Sequence, residues 1–312
     1  MGEWSKRIGE FGEAVVGEFL ELIGWSDSQR NLQMPCVKAQ KHGTEGNLRN
    51  SHGIDFLFSY ESQLFHRTLD HLIISAKFTA ISYPANPSGK FKEYFIDLVK
   101  TIECFRNSEF RQNANRQFSS VGTARDIGVL FWLSNSPSEH DDIIKSVANS
   151  RKLDEYNYDS VFLVDNNRIS FIYDTIMYLK TKRTNSEIEF FYPNTGRNYN
   201  PGIREASGKV LPVEYVNSSI LPLKLINTDG SKTFVISMID PFHMDRLKRL
   251  LSLSYMITSD FQYDTLILFP NYNQLVHKND VQSAKVGFKD KKFTENVVVD
   301  AFRNDFRSLG NE

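Results

Sequence analysis

Three short patterns in the first 80 residues place chemically useful side chains at useful spacings. They are Glu13 in the run GEFGEAVVGEF, Gly53-Ile54-Asp55 at the entrance to an apolar segment, and Ser75-Ala76-Lys77 inside the next one. Side chains alternate across a β-strand, so Ser75 and Lys77 share one face while Ala76 takes the other. If the two segments pair as a hairpin, Asp55 at the start of the first falls near Lys77 towards the end of the second. Carboxylates hold a hard divalent cation. A lysine beside them can orient a water or stabilise developing negative charge. Hydrolysis of a phosphodiester calls for that combination, because the scissile phosphate is charged and water is a poor nucleophile. On the first segment, Glu10 has Lys6 and Arg7 one turn behind it, and a solvated ion pair accounts for it. Glu13 has no basic residue three or four positions away, and Gly9, Gly12 and Gly17 leave room for a close approach to it.

The elements that must position these groups follow from hydrophobic periodicity. Trp4, Ile8, Phe11, Val15, Phe19 and Leu22 step by three and four, which predicts a helix over 3–23 that buries this stripe and stops at Gly24. Short strand character appears near 34–37, followed by a polar loop over 39–50. Strands are expected over 54–60 and 71–79, then a helix over 91–106 with a polar continuation to about 118. The run DIGVLFWL at 126–133 reads as a buried central strand. Next come a helix over 138–149 and two strands, 160–164 and 169–173, joined by Asp165-Asn166-Asn167. Apolar residues thin out over Thr181–Ser186, which sets a domain boundary there. The expected organisation is therefore 1–180 and 187–312. The second part offers a strand pair over 221–226 and 233–239, a helix over 241–256, a strand over 265–269 and a helix over 294–309. Its hairpin, helix, strand order echoes 54–133, although such units recur widely in α/β proteins and the echo alone carries little.

An Asp at a strand start is also a turn habit, and lysines in strands are often solvated, so Asp55 and Lys77 alone are a weak signal. Together with the glycine-flanked Glu13, the short hairpin and the helix-then-buried-strand sequel, they resemble the PD-(D/E)xK, or restriction-endonuclease-like, nuclease superfamily. The opening GEWSKRIGEFGEAVVGEFLELIGW, with HGIDFLF and IISAKFT behind it, is further similar to the nuclease subunit of a two-gene GAPS-type bacterial anti-phage defence system. The resemblance implies an α/β fold, a mixed sheet flanked by helices, with a second C-terminal α/β domain of unassigned role. It implies Glu13 and Asp55 as ligands of Mg²⁺ or Mn²⁺, the Ala76 backbone carbonyl as a further ligand and Lys77 as the catalytic lysine. Ser75 stands where the superfamily usually has Asp or Glu. A hydroxyl leaves one fewer charge to hold the metal, and Ser75 is expected to assist directly or through a water. Asp70, just before the strand, is too far from the needed position to replace the missing acid. The implied substrate is DNA and the implied partner a second protein encoded nearby, with a homo-oligomer left open.

Composition narrows the alternatives. The 312 residues are 40% hydrophobic, 24% charged and 13% aromatic, which excludes wholesale disorder and coiled coil. With 37 basic and 38 acidic side chains the net charge is −1, so nucleic-acid binding would rely on locally sorted charge. Arg106, Arg111, Arg116 and Gln117, in an Asn/Gln-rich stretch that also holds Arg125, form one candidate surface. Lys289, Lys291 and Lys292, with Lys285, form another. The two cysteines, Cys36 and Cys104, are too few for a disulfide framework or a cysteine-rich zinc site and read as ordinary thiols. No HxxxH or HExxH spacing occurs among the seven histidines, and neither a G-x-S-x-G elbow nor a complete phosphate loop is present. The N-terminus is charged from the third residue and no apolar run approaches roughly 18 residues, so a cytoplasmic protein without membrane contact is expected. The rival functional classes are a nuclease-like scaffold without catalysis, for which Ser75 speaks, and a nuclease directed at RNA.

Overall fold

The structure is a computed structural model that describes residues 2–44, 46–118, 121–138, 141–148, 156–198, 206–258, 261 and 263–303. The chain divides into two units, residues 1–170 with 212–217 and residues 171–211 with 218–312. The first contains α1 (Gly2–Leu22), β1 (Gln29–Pro35), α2 (Ala39–His42), β2 (Ser51–Glu61), β3 (Thr68–Thr79), α3 (Ser88–Phe105), α4 (Glu109–Gln117), β4 (Thr123–Ser134), α5 (Ile144–Val147) and β5 (Ser160–Val164). Its sheet has the order β1-β2-β3-β4-β5, antiparallel from β1 to β3 and parallel from β3 to β5.

Both faces of this sheet are covered. Leu98, Ile102 and Phe105 of α3 pack with Leu57, Ile73, Leu130 and Trp132 on one face. On the other, α1 buries Gly12, Val16, Phe19, Leu20 and Ile23, and Phe19 meets Phe131 edge-on at 5.9 Å. The expected α1 stripe is thus displaced. Trp4 is 65% and Phe11 57% exposed, Phe11 meeting the sheet through an edge-on contact with Phe78 at 5.2 Å, while burial of the helix begins at Gly12. Gly12 lies so close to β3 that a Cβ there would sit 2.3 Å from the Phe78 Cβ. Gly128 does the same for α3 on β4, where a Cβ would meet the Ile102 and Leu98 methyls at 2.9 and 3.0 Å.

The second unit begins within α6 (Asn166–Lys182). It continues with β6 (Ser186–Tyr192), β7 (Ala206–Gly208), β8 (Ile220–Asn227), β9 (Lys232–Met238), α7 (Met244–Thr258), β10 (Asp264–Phe269), α8 (Gln274–Gly287), α9 (Lys291–Glu295) and β11 (Val297–Ala301). The sheet order is β11-β10-β9-β8-β6-β7. Phe234, Ile236, Ile267 and Phe269 face Leu247, Leu250, Val281 and Ala284 of α7 and α8. From the opposite face Ser237 pairs with Thr175 of α6 at 3.0 Å. The hairpin-helix-strand echo extends to the whole sheet. β6, β8 and β9 run antiparallel and β9, β10 and β11 parallel, as β1 to β3 and β3 to β5 do, with β7 added at the edge.

Three expected elements differ. Residues 169–173, read as a strand, lie inside α6. The Asp165 carboxylate caps its first turn through the Arg168 N–H (3.0 Å), and Phe171, Ile172, Thr175, Ile176 and Leu179 are buried at helical spacing. The C-terminal helix expected over 294–309 is instead α9 followed by β11, whose Val297-Val298-Val299 run favours a strand. Residues 304–309 of that reading lie outside the described residues. The helix expected over 138–149 shortens to α5 among the described residues.

Candidate active site

The catalytic candidates collect where β2 and β3 part. The antiparallel ladder runs from Glu61–Leu69 to Phe56–Ile74, and one step beyond it stand Asp55 and Ser75. There the Asp55 carboxylate replaces a backbone partner, accepting hydrogen bonds from the Ala76 N–H at 2.7 Å and the Ser75 hydroxyl at 3.3 Å. In a strand the N–H and C=O of one residue point to the same edge, so the Ala76 carbonyl also faces β2. β3 is buried from Thr68 to Ile74 and half-buried from Ser75 onward, which opens this end to ligands. Lys77 shares the Ser75 face, and its ammonium lies 5.9 Å from the centre of the Tyr94 ring on α3.

Glu13 reaches the same place from α1, held by the close Gly12–Phe78 contact. Its carboxyl is pushed above the usual range, first by burial and then by the negative charge of Asp55, while Lys77 pulls it down. Glu13, Asp55 and Lys77 are therefore within electrostatic reach of one another. Of the three glycines around Glu13, Gly9 has open space and a Cβ at Gly17 would stand 3.5 Å from the Arg30 guanidinium, an ordinary contact, so Gly12 makes the close approach. Glu10 pairs with Lys6 at 3.7 Å on the exposed side, as its spacing predicts.

Asp70 is fully buried and bound through both oxygens to Arg125, each at 2.6 Å, far along the strand from Ser75. Arg106 and Arg111 hold the buried Asp126 at 3.3 and 2.8 Å, and Arg106 also pairs with Asp159 at 2.9 Å. In the β3–β4 register Asp126 stands opposite His71 and Trp132 opposite Lys77, a separation of about 20 Å along the strands. α4 lies at that same end, since Asn115 accepts a hydrogen bond from His71 at 3.0 Å. Its Arg116 and Gln117 are exposed. In the second unit Lys289, Lys291 and Lys292 are exposed, with the Lys291 ammonium turned onto the Val286 and Phe288 carbonyls.

Beside Lys77 the structure adds residues that the motif did not include. A cleft of about 480 Å³ is lined by Lys77, Arg49, Glu93, Tyr94, Asp97 and Lys100. Arg49 pairs with Asp97 at 2.6 Å, and Lys100 donates to the His42 carbonyl at 3.0 Å. The available signal was the series Tyr94, Asp97, Lys100 at steps of three, which puts these side chains on one face of α3. A second group also went unread, Cys36, His42, His52 and Cys104, whose ligand atoms all lie within 4.8 Å of one another. The last gap, from His52 to Cys104, is too long for any local spacing rule.

No curated protein and no solved structure shows a significant match to the chain. Residues 1–168, which span α1 and the first sheet with its site, match the family described as GAPS4 protein PD-(D/E)XK nuclease domain. With more than half of its length matched and the motif residues brought together on a mixed, helix-flanked sheet, this chain belongs to the GAPS4 PD-(D/E)XK nuclease domain family.

Proposed function

We propose that the chain is a metal-dependent endonuclease that hydrolyses DNA phosphodiester bonds. In this reading it acts in the cytoplasm as the nuclease subunit of a bacterial anti-phage complex, with a second protein encoded nearby. The observation that carries it is the junction of Asp55 with Ser75 and Ala76 beside Lys77, at the open end of β3, with Glu13 within electrostatic reach.

The donors fit a hard divalent ion. The Glu13 and Asp55 carboxylates, the Ser75 hydroxyl and the Ala76 carbonyl are all oxygen, the preference of Mg²⁺ and Mn²⁺. Burial and, after it, the negative charge of Asp55 raise the Glu13 pKa, and a bound cation would offset that charge. A bound divalent cation supplies charge to the scissile phosphate and lowers the pKa of a coordinated water. Asp55 is fixed for its role by the Ala76 N–H and the Ser75 hydroxyl, so its carboxylate needs little reorganisation. Lys77 donates from the neighbouring position on the same strand, orienting the attacking water or holding a phosphate oxygen. Lys77, Arg49 and Lys100 outnumber Glu93 and Asp97 in the adjoining cleft, and Tyr94 gives it an aromatic wall.

Ser75 favours a second reading, a nuclease-like scaffold that binds nucleic acid or a partner without cutting. Incubating the full chain, alone and with its genomic neighbour, with supercoiled plasmid and with single-stranded RNA in Mg²⁺ and in Mn²⁺ separates the readings. Metal-dependent plasmid cleavage is expected. Cleavage of RNA alone would move the substrate, and no cleavage in any arm together with no metal binding would leave the scaffold.

A further inference from the structure

We propose that Cys36, His42, His52 and Cys104 form a tetrahedral site for a structural Zn²⁺ ion, separate from the hydrolytic centre. The two sulfurs are 3.8 Å apart, each lies 3.4 Å from His42 Nδ1, and His42 Nδ1 is 3.2 Å from His52 Nε2. A tetrahedron with Zn–S near 2.3 Å and Zn–N near 2.0–2.1 Å has edges of about 3.8, 3.6 and 3.3 Å for S–S, S–N and N–N pairs. These four edges agree within about 0.2 Å of those values, and the two from His52 Nε2 to the sulfurs lie within 4.8 Å.

The surrounding hydrogen bonds set the tautomers. His42 Nε2 lies 2.8 Å from a Glu103 carboxylate oxygen, which can only accept, so the ring proton sits on Nε2 and Nδ1 carries a lone pair. The Thr101 hydroxyl donates to the Asp97 carbonyl at 2.9 Å and so accepts from His52 Nδ1 at 3.3 Å. That leaves a second lone pair on His52 Nε2, aimed at the first across 3.2 Å. Two imidazole lone pairs and two sulfurs converge on one point, an arrangement that a cation stabilises and that a Cys36–Cys104 disulfide would leave repulsive. Glu103 in turn is held by Lys38 at 2.8 Å and Lys41 at 3.0 Å, the carboxylate–histidine support that metal-bound imidazoles commonly receive.

Two sulfur and two nitrogen ligands in tetrahedral order select zinc over the oxygen-seeking Mg²⁺ and Mn²⁺. Four protein ligands, three of them buried, leave no open position, so the site is structural rather than catalytic. The ligands come from four places in the chain. Cys36 follows β1, His42 ends α2, His52 lies three residues before Asp55 in β2, and Cys104 lies near the end of α3. The ion thereby fastens the 36–52 segment to the helix that carries Tyr94 and Lys100, next to the cleft.

The test is metal analysis of the full chain purified without chelator, followed by replacement of the ion with Co²⁺. About one zinc per chain is expected. It should be released by a mercurial as two thiols react, and the Co²⁺ form should show tetrahedral ligand-field bands with thiolate charge transfer. Asp55→Ala protein should keep its zinc, whereas Cys104→Ser and His52→Gln proteins should lose it. Because these last two variants can also misfold, the wild-type stoichiometry and Co²⁺ spectrum decide. Less than about a tenth of an equivalent of zinc, with no thiolate charge transfer in Co²⁺, would overturn the proposal. So would a native Cys36–Cys104 disulfide seen by intact mass.

Discussion

Where most of the superfamily places a carboxylate, Ser75 offers a hydroxyl 3.3 Å from Asp55 Oδ2, so the proposed site would hold an ion with one charge fewer. Ser75→Asp is expected to tighten Mn²⁺ binding about tenfold, or about 1.4 kcal/mol, measured by titration calorimetry. The same variant should melt lower than wild type in the absence of metal, because a second carboxylate then crowds Asp55. Glu13 carries the complementary prediction. Burial and then Asp55 hold its folded-state pKa above the ordinary value. Such a group favours the folded state at low pH and withdraws that contribution as the pH rises through its folded pKa. Metal-free Glu13→Gln protein should therefore melt above wild type at neutral pH. The difference should vanish below about pH 4, where the wild-type carboxyl is protonated. Mn²⁺ should then raise the melting temperature of wild type and not of the variant. Asp55 and Lys77 were legible in the sequence because strand alternation and a short hairpin are local rules. Cys36, His42, His52 and Cys104 were not, since the fold alone brings Cys104 of α3 to residues of the 36–52 segment.

Helices and strands were legible where their periodicity is local and failed where burial depends on what lies opposite. The apolar stripe of α1 predicted a helix correctly, yet Trp4 and Phe11 are exposed, Phe11 despite its edge-on contact with Phe78, because the helix is buried against the sheet from Gly12 onward. Residues 169–173 alternate like a strand, but the Asp165 cap starts a helix through them. The tight seat of α1 yields a paired prediction. Gly12→Ala forces a Cβ to within 2.3 Å of Phe78 Cβ and should cost about 1–3 kcal/mol by denaturant unfolding. Because Glu13 shifts with the helix, cleavage should fall further than the loss of folded protein explains. Gly9→Ala, with open space around it, should instead stabilise by about 0.5–1 kcal/mol and leave cleavage intact. The Arg111 guanidinium lies 2.8 Å from the buried Asp126 and far from Lys77 along the sheet. Arg111→Ala should cost about 2–3 kcal/mol of stability while leaving DNA cleavage unchanged at temperatures where the protein stays folded. A cleavage defect without a stability defect would instead place Arg111 on the nucleic acid.

The two sheets repeat one strand order and direction, while among the described residues the proposed site stands on the first sheet alone. Counted from the hairpin turn, the positions in β8 and β9 that correspond to Asp55, Ser75 and Lys77 hold Ile220, Met238 and Asp240, so the carboxylate–serine–lysine set has no counterpart there. Sequence order hinted at this repetition through the shared hairpin-helix-strand series. The full sheet topology was hidden because β6 and α8 carried no recognised signal and β11 lay within residues read as a helix. If the proposed site on the first sheet is the one that hydrolyses DNA, a single chain cuts one strand at a time. Nicked circles should therefore precede linear DNA, and linear product should rise more than proportionally with protein concentration as two copies act. The net charge of −1 also predicts weak unaided DNA affinity that falls steeply with salt. The most direct measurement is plasmid cleavage in Mg²⁺ and in Mn²⁺ by wild type, Asp55→Ala and Lys77→Ala proteins, each shown to be folded and each assayed alone and with the neighbouring gene product. Metal-dependent nicking by wild type, reduced at least about a hundredfold in both variants, is the predicted result. Cleavage by Asp55→Ala at the wild-type rate would contradict the assignment of the site.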